Sequence, residues 1–285
     1  MRIELCSPIH GETVALLSSE HRAMLSGQHL VVADNSLDWR SLKQKGTEKS
    51  YPLPVRFVWK TDENDQQDMQ IACLYLSTSP DFVKVKKIII PAGHNQAEVY
   101  NFNAGTEYYW KVTLADPNEK VESPVGYFRT RDEVPTLYRV YGITNVRDIG
   151  GWPTFDGKRV RRGMIYRGSE MDTHHSLTEE GRLVLRNDME IRTDLDLREE
   201  ALGLLTRSPI GPDIRFELIP VRAYAEFMAS ENYADCRAVF SLLADETAYP
   251  IYLHCWGGAD RAGTVVLLLN GLLGVDDESL LLDYE

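Results

Sequence analysis

Cysteine is scarce in this chain, long apolar runs are missing, and negative charge outweighs positive. Four cysteines occur in 285 residues, Cys6, Cys73, Cys236 and Cys255, far apart and without Cys-x-x-Cys spacing. That excludes a cysteine-built zinc site and the dense disulfide framework of small secreted domains. Three of the four sit in apolar surroundings suited to buried free thiols. The longest apolar stretch, residues 264–275 with an asparagine inside it, falls short of the roughly 20 residues a membrane span needs. The opening Met1-Arg2-Ile3-Glu4-Leu5 lacks the apolar centre of a signal peptide. Either a leader has been removed or the protein stays in the cytoplasm, and the cytoplasm, which keeps thiols reduced, is the expectation. With 31 Lys and Arg against 43 Asp and Glu, the net charge is −12. Such a surface excludes non-specific nucleic-acid binding and docking on anionic membranes, though it leaves room for one positive pocket. Internal repeats and low-complexity segments are lacking too.

What is there is a globular composition, 43% hydrophobic and 26% charged, in a chain long enough for two domains. Residues 1–132 read as β-rich, with strands predicted at 2–6, 13–17, 54–60, 71–78, 83–90, 97–102, 107–115 and 126–130. They are short, alternate in polarity and are separated by polar turns, which points to an antiparallel sandwich. A short helix is predicted over 19–26 and a long insertion over 27–50. The acidic run 62–68 reads as a solvated turn, because its spacing fails the calcium-loop pattern. Phe102-Asn103-Ala104-Gly105-Thr106-Glu107-Tyr108 resembles the E–F corner of fibronectin type III domains. The resemblance implies that the Tyr108 hydroxyl ties back to the turn before it, with Ala104 where that family usually has proline. Tyr108 and Trp110 are expected in the core rather than on a ligand platform.

Beyond the charged stretch 131–135 the pattern changes. Over 137–285, apolar strands at 191–197, 216–221 and 251–254 alternate with helical stretches at 178–187, 224–244 and 262–273. That alternation predicts an α/β domain with a mostly parallel central sheet flanked by helices. Between the strand 251–254 and the helix after it lie Cys255, five residues and Arg261. A tight strand-to-helix turn of this kind makes an anion cradle, because backbone N–H groups and the helix N-terminus point at one place. The amides of Trp256, Gly257, Gly258 and Ala259 would line it, with Gly257 and Gly258 allowing unusual dihedrals. Arg261 can hold two phosphate oxygens through its planar fork. The same field should lower the Cys255 thiol from ~8.5 to somewhere around 4–7, giving a thiolate nucleophile at neutral pH. His254 is expected to brace the turn, since no second histidine or carboxylate stands at metal-ligand spacing. Neither a metal nor an organic cofactor is expected.

His254-Cys255-Trp256-Gly257-Gly258-Ala259-Asp260-Arg261 resembles the signature loop of the protein tyrosine phosphatase superfamily. Three further segments look like its bacterial tyrosine/serine phosphatase branch: Asn145-Val146-Arg147-Asp148-Ile149-Gly150-Gly151, Arg162-Gly163-Met164-Ile165-Tyr166-Arg167-Gly168-Ser169, and Asp194-Leu195-Asp196-Leu197-Arg198. That branch also carries Asp-Arg inside the loop. Rhodaneses and arsenate reductases share Cys-(x)5-Arg, whereas four motifs in order, over 138–285, are far more specific. The resemblance implies metal-independent phosphomonoester hydrolysis through a phosphocysteine, on phosphotyrosine of proteins or peptides first, with dual specificity towards phosphoserine or phosphothreonine left open. Cys255 would be the nucleophile, and Arg261 with the loop amides the clamp.

The leaving alcohol needs a proton and the intermediate needs an activated water, and one carboxyl can serve both in turn. The resemblance assigns this to Asp260, with Asp148 in reserve and then Glu226. Asp213, in Gly211-Pro212-Asp213, imitates a Trp-Pro-Asp acid loop. It precedes the strand 216–221, however, and α/β sites form at the C-terminal ends of strands. Two departures stand out. Ala262 occupies a position where many relatives have a hydroxyl that stabilises the departing thiolate, leaving Thr264 as the substitute. Ala259 stands where relatives acting on phosphoinositides often carry lysine. Arg147 and Asp148 are expected beside the site. Asp196 and Arg198 read equally as an ion-pair network or as substrate contacts, and Trp256 equally as pocket wall or core. The helix starting at 276 stops where relatives continue, so the domain reads as C-terminally truncated. Two competing functions remain: a phosphoinositide or small-molecule phosphatase, and a catalytically weak phosphate-binding module, which Ala262 favours.

Overall fold

Alternating burial along short strands builds the first half of the chain. The computed structural model describes residues 2–25, 51–62, 71–115, 121–199 and 206–284. The predicted insertion 27–50 and most of the acidic run 62–68 lie outside these residues. Two units emerge: Met1–Ser18 with Leu53–Glu133, and Ser19–Pro52 with Val134–Glu285. In the first, β1 (Ile3–Ser7), β3 (Val55–Thr61) and β6 (Gln96–Val99) pair antiparallel in the order β1-β3-β6. A second sheet runs β2-β9-β7-β4-β5, formed by Glu12–Val14, Gly126–Thr130, Glu107–Leu114, Ala72–Ser77 and Lys86–Ile90. Its β2–β9 pair is parallel, which the antiparallel expectation did not include.

Period-two burial in β3 and β7 sends Phe57, Trp59, Tyr108, Trp110 and Val112 into one shared core, with Phe57 and Trp110 meeting edge-on at 5.0 Å. The Asn103 N–H donates to the Tyr108 hydroxyl at 2.9 Å, the tie implied by the corner resemblance. A further strand, β8 (Val121–Glu122), pairs with β7 and was not predicted, since two residues carry no period.

The second unit is built on a sheet of order β10-β11-β12-β15-β13-β14. Four members, β12 (Ile165–Gly168), β15 (Ile251–His254), β13 (Thr193–Asp196) and β14 (Arg215–Leu218), are parallel. The short β10 (Thr136–Leu137) and β11 (Arg147–Asp148) close one edge antiparallel. Ile251 and Leu253 pack on one face with Val239, Val265 and Val266. Tyr252 packs on the other with Tyr166, Leu185 and Ile191. Each fully buried aliphatic side chain in these layers contributes about 1.5–3 kcal/mol.

The helices are α1 (Ser19–Leu25), α2 (Glu179–Leu183), α3 (Tyr233–Leu243), α4 (Asp260–Leu272) and α5 (Asp277–Tyr284). Thr178 caps α2 by accepting from the Gly181 N–H, and α2 widens into a π-helical turn at Val184–Asp188. The single helix expected over 224–244 is instead two short 3-10 turns, Tyr224–Met228 and Ser230–Asn232, followed by α3. Ala229, extended at φ −66° and ψ 147°, interrupts it. Among the described residues no helix is long and apolar enough to cross a membrane.

Candidate active site at the C-terminal end of strand β15

Strand parity sorts the first two residues of the site. Cys255 follows the odd-numbered Ile251 and Leu253 and is buried with Ala262, Val265 and Val266. His254, on the opposite parity, pairs across the sheet with Asp196 and meets the carboxylates of β13. Its Nε2 lies 3.0 Å from Asp194 Oδ1 and its Nδ1 3.8 Å from Asp196 Oδ1. Burial alone would lower the imidazole pKa, but Asp194 and Asp196 outweigh it and the net shift is upward, towards imidazolium. His254 thus lies at the strand end against two carboxylates.

The turn from Cys255 to α4 is shaped by one glycine rather than two. Gly258 has φ +71°, and a Cβ there would overlap the Gly168 carbonyl; Gly257 has neither feature and faces open space. We expect Gly258→Ala to lower the melting temperature by at least about 2–4 °C, the shift that ~1 kcal/mol gives in a chain of this size. Gly257→Ala should melt near wild type, and differential scanning calorimetry separates the two.

Four successive carbonyls of the turn are held from outside it. Trp256 O accepts from the Glu170 N–H at 3.0 Å, and Gly257 O from Asn145 Nδ2 at 2.9 Å. Gly258 O accepts from Arg167 Nε at 3.0 Å and Nη2 at 2.8 Å, and Ala259 O from the same Nη2 at 3.1 Å. In a trans peptide the N–H points opposite to the C=O. The N–H groups of Gly257, Gly258, Ala259 and Asp260 are therefore aimed away from these donors, and the last of them opens α4. Among the described residues no backbone carbonyl takes the amides of Gly257, Gly258 or Ala259. A row of such donors at a helix N-terminus is what an anion requires.

Arg167 is fully buried, and burial pushes its guanidinium pKa down, with Arg147 adding to the shift and Asp283 opposing it. The Asp283 carboxylate, from α5, lies 3.7 Å from Arg167 Nη1 and accepts from Trp152 Nε1 at 3.2 Å. Arg147 reaches the turn only through Asn145, to whose side-chain oxygen it donates, and its Nη2 donates to the Asp283 carbonyl at 2.9 Å.

Arg261 and Asp260 border a cavity of about 510 Å³, lined also by Arg222, Tyr224 and Glu226. Arg261 Nε donates to the Val221 carbonyl at 3.2 Å, and its Nη2 is 3.9 Å from the Glu199 carboxylate. Asp260 is exposed, and its Oδ1 accepts a short hydrogen bond from the Tyr224 hydroxyl. That bond, with a lesser effect of burial, pushes the Tyr224 phenol up to about 12.

Other sequence-predicted residues fall elsewhere. Asp148 is buried and accepts from the Gly150 and Gly163 N–H groups at 2.8 and 2.7 Å, so it straps two backbone turns. Burial raises its pKa to about 6 against the lowering effect of those bonds. Thr264, expected to stand in for the missing hydroxyl beside Ala262, is engaged differently. Its hydroxyl donates to the Asp260 carbonyl and accepts from the Tyr224 N–H, both at 2.9 Å. Arg198 is buried against Asp196 (Nη2–Oδ2 2.7 Å), Asp172 (2.9 Å) and Glu170 (3.5 Å), with its guanidinium 5.2 Å from the Trp256 ring. Asp196 and Arg198 therefore form the ion-pair network of the two readings weighed for them. Half-buried Trp256 also meets His174 edge-on at 4.8 Å. Asp213 pairs with Arg186 ahead of β14, at the opposite end of the strands. Among the described residues no group of three or more His, Cys, Asp or Glu side chains is disposed to hold a metal ion.

Sequence reasoning missed Asn145, Glu170, Tyr224 and Asp283 as parts of this arrangement, and gave Arg167 no role. Arg167 and Asn145 lay inside recognised motifs, and a basic residue on a fully apolar-flanked strand is a signal that could have been used. Asp283 and Tyr224 had no such signal.

Residues 138–285 match the tyrosine phosphatase family. A curated protein of Cupriavidus necator, which carries the provisional name of tyrosine-protein phosphatase, is 26% identical over 165 residues, or 50% of this chain and 59% of the relative. The chain thus spans about three fifths of that relative's length. Among solved structures, a core catalytic domain of a PP-IP phosphatase from S. cerevisiae, in complex with citrate, aligns at 18% identity with a TM-score of 0.28, covering 38% of this chain and 61% of the other.

Proposed function

The chain belongs to the tyrosine phosphatase family, and from that premise we propose that it hydrolyses phosphotyrosine on proteins or peptides through a phosphocysteine intermediate. The observation that carries this is the turn between β15 and α4. Its carbonyls are held by Glu170, Asn145 and Arg167, the peptide geometry turns the paired amides the other way at the start of α4, and Cys255 and Arg261 stand at its two ends.

The Cys255 thiolate attacks phosphorus in line with the ester oxygen, forming an S–P bond as the P–O bond breaks. Asp260 gives its proton to the leaving oxygen. Water then attacks phosphorus while Asp260 takes a proton from it, and the S–P bond breaks to release phosphate and the thiolate. Arg261 and the amides of Trp256, Gly257, Gly258 and Ala259 hold the equatorial oxygens throughout. His254, Arg147, Asp148 and Thr264 act behind them, fixing the backbone. We read residues 137–285 as this catalytic domain and residues 1–132 as a fibronectin type III-like sandwich, on the strength of its two sheets and the Asn103–Tyr108 bond.

A second reading has a specific observation in its favour. With Ala262 beside Arg261 and the Thr264 hydroxyl already engaged at both ends, the hydroxyl that many relatives place beside the departing thiolate has no free substitute at these two positions, so the phosphocysteine would break down slowly. One experiment separates the readings: mix the reduced full chain with a phosphotyrosine peptide in EDTA, quench in acid, and follow peptide hydrolysis and phosphate on Cys255 by mass spectrometry. The enzyme reading expects continued turnover with phosphate trapped on Cys255 during it. A single burst with stable labelling would favour the binding module, and turnover without any phosphocysteine would remove the covalent mechanism.

A further inference from the structure

We propose that Tyr224 is the positioning residue for Asp260, fixing by its hydroxyl which carboxyl oxygen faces the leaving group; the assignment rests on the phosphatase reading above. Two separate hydrogen-bonded links tie residue 224 to residue 260, and the backbone of Tyr224 adds a third observation. The Tyr224 hydroxyl donates to Asp260 Oδ1, which leaves Oδ2 as the oxygen free to carry the transferred proton. The Tyr224 N–H donates at 2.9 Å to Thr264 Oγ1, and that hydroxyl donates at 2.9 Å to the Asp260 carbonyl, so backbone and side chain are held together. Tyr224 also has φ +58°, a left-handed conformation that a bulky residue adopts only where its surroundings impose it.

The tyrosine ring is otherwise poorly placed for a packing role. It is 58% exposed and lines the same cavity as Asp260 and Arg261. A core residue would be buried. Asp260 is itself exposed at the first turn of α4, where a free carboxylate samples several rotamers. One directed hydrogen bond from a rigid aromatic arm removes that freedom, and orientation of a reacting group is worth large factors in rate.

The test uses the full chain and two aryl phosphates, phenyl phosphate, whose leaving group needs a proton, and para-nitrophenyl phosphate, whose leaving group scarcely does. Tyr224→Phe should lower kcat for phenyl phosphate about tenfold, a fraction of the 10²–10⁴ that a general acid supplies, and change kcat for para-nitrophenyl phosphate less than about twofold. In the Asp260→Asn background the same change should cost nothing further, because the group it orients has gone. Thr264→Ser should keep wild-type selectivity between the two esters, and Thr264→Val should shift it as Tyr224→Phe does. Equal losses on both esters, no loss on either, or a full additional loss in the Asp260→Asn background would overturn the assignment while the phosphatase reading stands. Activity that survives Cys255→Ser would instead remove that reading, and the role of Tyr224 with it.

Discussion

Cys255→Ser is expected to lower kcat for aryl phosphates on the order of 10⁶-fold, the scale of losing the nucleophile in a covalent enzyme, with phosphate binding retained. The two side chains are nearly the same size, so the apolar pocket of Ala262, Val265 and Val266 still closes around residue 255 and the unfolding midpoint should barely move. What changes is chemistry. A serine hydroxyl is not ionised in any field these amides and Arg261 can produce, and the turn holds no imidazole that could take its proton. His254 faces Asp194 and Asp196 on the opposite side of the strand. The turn amides and Arg261 are untouched, so inorganic phosphate, which needs no bond to sulfur, should still bind. Steady-state assays and isothermal titration with inorganic phosphate read the two halves of the expectation. Retained turnover in the variant would remove the thiolate mechanism, and lost binding together with lost turnover would mean that the thiol shapes the turn.

Arg167→Met should do the reverse, weakening the fold as well as the site, by about 3–5 kcal/mol, the cost of removing one partner of a buried charge pair. The Asp283 carboxylate would then lose its 3.7 Å guanidinium partner inside the protein, and the carbonyls of Gly258 and Ala259 would lose their donors. Arg167→Lys is not expected to restore much, because one ammonium cannot span two carbonyls and a carboxylate as a planar fork does. Urea unfolding of the full chain, followed in its second unit by an intrinsic probe such as Trp152 fluorescence, measures the loss. A stability loss below about 1 kcal/mol would show that water replaces the guanidinium cheaply at this position. The contrast with Arg261 is instructive. Both arginines border the same turn, yet one is buried and spends its donors on the turn's backbone, while the other is partly exposed at a cavity and donates to the Val221 carbonyl.

Much of this was legible beforehand because it was written in periods and spacings. Strand β15 and helix α4 are largely apolar segments, and the turn between them is defined by Cys255, Gly258 and Arg261 as residue types. Asp213 could be set aside from strand order alone, and the structure pairs it with Arg186 away from the turn. Other features were illegible for physical reasons. The strands Thr136–Leu137 and Arg147–Asp148 are too short to show alternation, and they exist because β12 offers them an edge. The break at Ala229 has no proline or glycine to announce it. Asp283 joins Arg147 and Arg167 across more than a hundred residues, and no local pattern encodes a partner at that separation. Thr264 was found but its engagement was not, since the Tyr224 N–H that occupies it arrives from a separate segment.

The two-residue alternation along Ile251–His254 carries a consequence for how this segment can change over time. One side of the strand leads to a thiol among aliphatic groups and the other to an imidazole between carboxylates. Substitutions that respect size at Ile251 or Leu253 leave both addresses intact. A single inserted or deleted codon between Pro250 and Cys255 would exchange them, delivering sulfur to the aspartates and the ring to the apolar side. The strand is thus tolerant in spelling and intolerant in count.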